Sequence, residues 1–295
     1  MRHPPQPPVP HVSDRLRFFF ALIRKKPFVL STHGSLFDYK KDRPSSSHFP
    51  CKLYDALTFK TTAKRADAVV VSSQMEYEEA LEFGIHKSKL HVIPDGIESF
   101  GPAADRFSRQ GAPLHLLLAG PMTRPRRVEL LLRAARKLTL PFRITLVATN
   151  TIGKADGSAE YIKELKKLVK SLGIEERVDF LGNPSPEDMN HCYSNADLFI
   201  NLSSYETSGK ILLEAAASGL PIISTPVGLA NEIVLSGENG FIVPTDPDMI
   251  CDRVLQLSNP DTRRKFGHHI REKALNNFGW SAVMDRYMEL YASLK

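Results

Sequence analysis

The stretch Leu198-Phe-Ile-Asn201-Leu-Ser-Ser-Tyr-Glu206-Thr-Ser-Gly209-Lys210-Ile-Leu-Leu-Glu214-Ala-Ala-Ala217 decides the fold. Its apolar start reads as a buried strand, a polar loop follows, and Gly209 opens a run of aliphatic residues and alanines that suits a helix. A strand feeding a helix through a short loop belongs to a parallel α/β sheet, where ligands lie outside the carboxyl ends of the strands. Glu206 sits in that loop. The first N–H groups of the helix lack intrahelical acceptors, so together with the helix dipole they suit an anion, and Gly209 permits its close approach. Glu214 lies a little over one turn in, and helical side chains lean toward the N-terminus, so both carboxylates are expected to face one mouth. Glu214 can accept paired hydrogen bonds from adjacent hydroxyls such as those of a ribose. Glu206 can hold sugar hydroxyls or balance positive charge near a leaving group. The structural alternatives are a Glu214 paired with a basic neighbour in the core and a Glu206 in an exposed loop.

The same alternation of strand and helix extends in both directions. Toward the C-terminus come a strand over Pro221 to Ser224, the segment Gly240 to Val243, a helix from Pro247 to Leu257, and an amphipathic helix from Trp280 to Leu294. Toward the N-terminus, strands are expected at Leu114 to Ala119, Phe142 to Ala148 and Arg177 to Leu181, with helices at Val128 to Leu138 and Ser158 to Leu172. Gly101 to Ala112 has no periodicity and reads as a linker. Before it lie strands at Phe28 to Gly34, Ala68 to Val71 and Leu90 to Ile93, with helical patterns over Lys52 to Arg65 and Glu76 to Phe83. Asp14 to Lys26 reads as a helix with a basic end, either core-packed or lying on a membrane surface. The first dozen residues are too proline-rich for regular structure. These readings give a leader over 1–12, a first lobe over 13–107, a second over 108–277 and a closing helix over 278–295.

Composition excludes several classes. With 295 residues and 42% hydrophobic content the chain can bury two modest cores, and no uncharged apolar run approaches the roughly 20 residues of a membrane span. Three cysteines, far apart and in no metal-ligand spacing, argue against a disulfide framework or a zinc site, and the ten histidines are scattered. A net charge of +6 suits phosphorylated small molecules, anionic lipid or nucleic acid, but no basic motif interleaved with aromatics favours nucleic acid. A cytoplasmic protein is expected, with attachment to the inner membrane face left open.

Glu206 and Glu214, with seven residues between them, together with Gly209 and Ala215, resemble the paired glutamates of the retaining glycosyltransferases of GT-B fold, those of group 1 and family 4 type. Other stretches resemble the family in the same order: Thr32-His33-Gly34, Ser72-Ser73, Ile93-Pro94-Asp95-Gly96, Gly120-Pro-Met-Thr-Arg-Pro-Arg126-Arg127, Leu181-Gly182-Asn183, Thr225-Pro-Val-Gly228 and Phe278-Gly-Trp280. Nearly the whole chain from Pro27 onward is covered. The resemblance implies an α/β fold of two Rossmann-like lobes, with the helix over 278–295 crossing back to the first lobe and Trp280 and Tyr287 as its packing anchors. It implies that Glu214 binds the ribose of a nucleotide sugar, that Glu206, Gly209 and Lys210 hold the donor sugar, that Asn183 stands in the loop meeting the base, and that His33 faces the sugar. Arg127 matches the family's diphosphate lysine; Pro121 stands where the family has an arginine, and Arg124 or Arg126 is expected to reach the same phosphate.

The family's opening strands have no counterpart before His33, so the first lobe is expected to be incomplete, with an exposed edge and an uncovered apolar face. A late start, a fragment that pairs with another chain or copy, and a compensating leader all remain open. The expected function is transfer of a sugar from a nucleotide-diphosphate sugar to a hydroxyl acceptor, a glycan or lipid, with retention and with no metal or other cofactor. The alternative is a non-catalytic nucleotide-sugar-binding subunit that needs a partner chain.

Overall fold

A computed structural model describes residues 26–32, 60–98, 111–149, 158–206 and 209–294. The leader, nearly all of the helix expected over 14–26, the start of the one at 52–65, His33, and nearly all of the linker lie outside the described residues. The chain divides into two compact units, residues 1–95 with 283–295, and residues 96–282.

In the first unit, strands β1 (Val29–Ser31), β2 (Ala68–Val71) and β3 (Leu90–Val92) pair in parallel in that order, with helices α1 (Lys60–Arg65) and α2 (Gln74–Glu82) between them in sequence. Alternate residues of β2 point to opposite faces. Val69 and Val71 pack with Ala63, Ala80 and Phe83. Ala68 and Val70 pack with Ile93, Val283 and Leu290, the last two from the terminal helix (Trp280–Ser293). Both faces of β2 are therefore buried, which corrects the expectation of an uncovered apolar face at this strand. The covering residues come from the far end of the chain, in its closing helix.

The second unit holds a six-stranded parallel sheet among the described residues: β4 (Leu114–Gly120), β5 (Phe142–Ala148), β6 (Val178–Gly182), β7 (Leu198–Asn201), β8 (Ile222–Ser224) and β9 (Gly240–Ile242), in the spatial order β6-β5-β4-β7-β8-β9. The chain runs outward from β4 to β6, returns to the other side of β4, and runs outward again to β9. The order therefore reverses between β4 and β7, the position where open α/β sheets form their ligand crevice. Leu114, Leu116 and Leu118 face one core and Leu117 and Ala119 the other, so β4 is buried on both sides.

The connections are the helices α3 (Val128–Ala135), α4 (Ser158–Leu172), α5 (Pro186–Asn195), α6 (Lys210–Ala217), α7 (Ala230–Ile233), α8 (Pro247–Gln256) and α9 (Pro260–Phe278), followed by the terminal helix, α10. Within the described residues, the strands and helices expected from the sequence recur within a few residues. Helices α5 and α9 carry too little apolar periodicity to be read that way. Their signals lie at the N-termini: Ser185 and Asp188 form a reciprocal capping box before Pro186, and Asn259 caps the helix opened by Pro260. In α10, Tyr287 packs beside Val283 and Leu290, whereas Trp280 lies against Gly96 and remains half exposed.

Candidate functional site

The loops leaving β4 and β7 meet at the reversal point. Gly120 ends β4 at φ +143°, and the guanidinium of Arg126 occupies the space a side chain on Gly120 would need. A single 3-10 turn, Arg124–Arg126, then brings the chain to Arg127, whose left-handed backbone (φ +51°) starts α3. The Ser204 N–H donates to the Pro125 carbonyl at 2.8 Å, tying the two loops together.

This folding separates the three arginines. Arg124 points outward, donating to Glu164 at 2.7 Å. Arg127 has no ion pair among the described residues. Arg126 turns inward: its Nη1 donates to Glu206 Oε1 and, at 3.2 Å, to Asn201 Oδ1. Of the two arginines left open for the phosphate, Arg126 is the one brought to the glutamate loop. The pair is largely shielded from water, with 11% of the Arg126 side chain and 15% of the Glu206 side chain exposed.

Asn201, buried at the end of β7, joins the two. Its Nδ2 donates to Glu206 Oε2 at 3.0 Å and to Ser224 Oγ at 3.2 Å, while its Oδ1 also accepts from Ser203 Oγ at 3.2 Å. Every donor and acceptor of the amide is thus engaged, which fixes its orientation. Beneath it, Thr225 Oγ1 donates to the Ser203 carbonyl at 2.6 Å. Gly228, at φ +51°, lies so close under Glu206 that a β-carbon would fall 3.1 Å from the Glu206 carbonyl oxygen. Sequence reasoning assigned no role to Asn201; a polar residue ending an otherwise apolar strand was the available signal.

Gly209 begins α6 in the left-handed region (φ +67°), and among the described residues no side chain caps the helix. Lys210 is mostly exposed, 4.0 Å from Glu214. Glu214 is a partly buried carboxylate whose Oε2 accepts from Tyr193 Oη at 2.9 Å. Tyr193 comes from α5, the helix that sequence pattern did not reveal. Burial, then the Glu214 carboxylate, pushes its phenol well above the ordinary tyrosine range, so it is a fixed proton donor to Glu214. The expectation that Glu214 might merely pair with a cation in the core gives way to a neutral donor on one oxygen, the other facing Lys210.

Asn183 stands in left-handed conformation (φ +45°) just past β6, its N–H donating to the Ala148 carbonyl at 2.8 Å. It is exposed at the edge strand rather than beside Arg126. His33, Thr207 and Ser208 lie outside the described residues. Among the described residues no group of three or more His, Cys, Asp or Glu is placed to hold a metal ion, and no helix is long and apolar enough to cross a membrane.

Residues 106–273 match the family of Glycosyl transferases group 1, and residues 2–99 match Glycosyltransferase Family 4. The chain is similar to D-inositol 3-phosphate glycosyltransferase of Corynebacterium urealyticum, 29% identical over 78% of this chain and 57% of that protein. It is also similar to spore coat protein SA of Bacillus subtilis, 24% identical over 95% of this chain and 77% of that protein. Among solved structures it resembles sucrose-phosphate synthase from Thermosynechococcus elongatus (TM-score 0.77, 26% identity, 94% of this chain and 70% of the other). It shares its fold with Anabaena HepE, solved in complex with UDP and glucose (TM-score 0.76, 21% identity, 95% of this chain and 75% of the other). The chain spans a little over half the length of the corynebacterial relatives it matches. With more than half of its residues matched, all in the unit that carries the Arg126–Glu206 and Tyr193–Glu214 contacts, the chain belongs to the glycosyl transferases of group 1.

Proposed function

We propose that this chain transfers a glycosyl group from a nucleoside-diphosphate sugar to a hydroxyl acceptor on a glycan or lipid, with retention at the anomeric carbon. The observation that carries the reading is the meeting of Arg126, Glu206 and the open start of α6 at the sheet's reversal point. Family membership supports it, as do the glycosyltransferase relatives and the Anabaena protein solved with UDP and glucose.

In this reading Arg126, with Arg127 beside it, neutralises the diphosphate. The N–H groups following Gly209 and the dipole of α6 stabilise the departing nucleotide electrostatically, a role that requires no metal. Glu206 accepts from hydroxyls of the donor sugar, and Lys210 adds positive charge at the helix start. Glu214, steadied by Tyr193, accepts both ribose hydroxyls. Asn183, in the loop after β6, meets the base, and His33 keeps its expected role facing the sugar. The net charge of +6 supports attraction of the anionic donor, and the basic run Arg24-Lys25-Lys26 supports contact with an anionic membrane face.

The test is incubation with a panel of nucleoside-diphosphate sugars and hydroxyl acceptors, following nucleotide release and reading the product's anomeric configuration by NMR. Retained configuration is expected. An inverted product would overturn the retaining assignment. Donor binding without turnover would favour a nucleotide-sugar-binding subunit, and no binding at all would sink the site.

A further inference from the structure

Resting on the donor reading above, we infer that the Arg126–Glu206 ion pair is an exchange contact that makes the site favour a sugar-bearing nucleoside diphosphate over the bare one. Arg126 is the cation paired with Glu206 among the described residues. Both side chains are largely buried, so neither charge can be left unpaired without a large desolvation cost. Among the described residues, Arg124 is paired with Glu164 and Lys210 lies 4.0 Å from Glu214.

Nη1 of Arg126 is engaged by both Glu206 Oε1 and Asn201 Oδ1, so turning that nitrogen onto a diphosphate means leaving Glu206 Oε1. The freed carboxylate then needs new donors. A sugar on the diphosphate supplies them through its hydroxyls, whereas a bare nucleoside diphosphate supplies none and adds an anion beside a buried carboxylate. Asn201 is the fixed point of the exchange. Its amide holds Arg126 through Oδ1 and Glu206 through Nδ2 while anchored to Ser203 and Ser224, so each partner keeps one bond as the pair opens. The same contact favours release of the spent nucleotide. Once the sugar has left, Glu206 loses its hydroxyl donors and recaptures Arg126, which weakens the hold on the diphosphate. Nucleotide-sugar binding is thereby coupled across two subsites by one ion pair, a coupling that acts reciprocally.

The experiment is calorimetric titration of UDP, GDP and ADP into the wild-type chain, Glu206→Gln, Arg126→Ala and the double variant, with circular dichroism confirming the fold. Arg126→Gln replaces the alanine variant if the latter does not fold. With the diphosphate that binds best, Glu206→Gln is expected to bind about tenfold more tightly, a step of roughly 1.4 kcal/mol. Arg126→Ala is expected to bind more weakly, and the double variant to match Arg126→Ala, because the glutamate acts through the arginine. Unchanged or weaker binding by Glu206→Gln overturns the exchange. Equal tightening in the double variant also overturns it, since that is plain charge repulsion. Binding that Arg126→Ala leaves unchanged keeps the donor reading, with Arg127 as the phosphate ligand, and overturns the exchange. No binding by the wild type overturns the donor reading and the exchange together.

Discussion

Replacing Glu214 with Gln keeps the shape of the side chain and removes its charge. In the structure one carboxylate oxygen accepts from Tyr193 Oη at 2.9 Å and the other lies 4.0 Å from the Lys210 ammonium, with 22% of the side chain exposed. A glutamine satisfies Tyr193 with its carbonyl and turns its amide NH2 toward the ligand, so two charge-assisted ribose bonds become at best one neutral bond. A hydrogen bond to a charged group contributes about 1.5–3 kcal/mol and a neutral one about 0.5–1.5. From the middle of those ranges the loss is about 3.5 kcal/mol, or a Kd roughly 300-fold weaker. The assay is calorimetric titration of the nucleoside diphosphate that binds the wild type best, since it carries the ribose without the sugar. Thermal melting checks that the variant folds. Tyr193→Phe, which removes only the bond holding the carboxylate, should weaken the same Kd by about fivefold, the worth of one net hydrogen bond of about 1 kcal/mol. A folded Glu214→Gln protein with unchanged Kd would refute the assignment of Glu214 to the ribose.

Gly240→Ala should lower Tm by several degrees, reflecting about 2 kcal/mol of overpacking, because its β-carbon would run into the Ile222 backbone carbonyl and the Val234 side chain; an unchanged melting curve would contradict that packing. At the opposite end of β4, burial holds the His115 imidazole below its ordinary pKa, while Nδ1 donates to the Asn195 carbonyl at 2.9 Å and Nε2 accepts from Thr145 Oγ1 at 2.8 Å. The unfolded chain therefore takes up this proton first, so His115 contributes stability above pH about 6.5 that is lost as the pH falls below it. His115→Gln should show a shallower fall in Tm between pH 7.5 and 5.5 than the wild type, and parallel curves would show that His115 does not drive it.

How much was legible depended on where the information lay. The β7–α6 stretch could be read directly, because an apolar run ending at Asn201 and a helix opened by Gly209 are both local patterns. Gly209 takes a left-handed backbone there, which a glycine adopts without strain. Helix α5 escaped because a run such as Pro186–Asn195 buries little beyond Tyr193, and with it escaped the residue that holds Glu214. The choice among Arg124, Arg126 and Arg127 was not local either. A single 3-10 turn sends consecutive side chains in different directions, and only packing against Gly120 aims Arg126 at Glu206.

The sequence by itself determined the order of the strands and of most helices, the glutamate-bearing loop and the family resemblance, because hydrophobic period and loop chemistry are written within a dozen residues. The tertiary structure decided which loops meet. Arg126 and Glu206 lie 80 positions apart and touch because the sheet sets β4 beside β7 rather than beside its successor on both sides. That adjacency is set by burial of both sheet faces at once. No local window contains it, and the Arg126–Asn201–Glu206 contact exists only as its consequence.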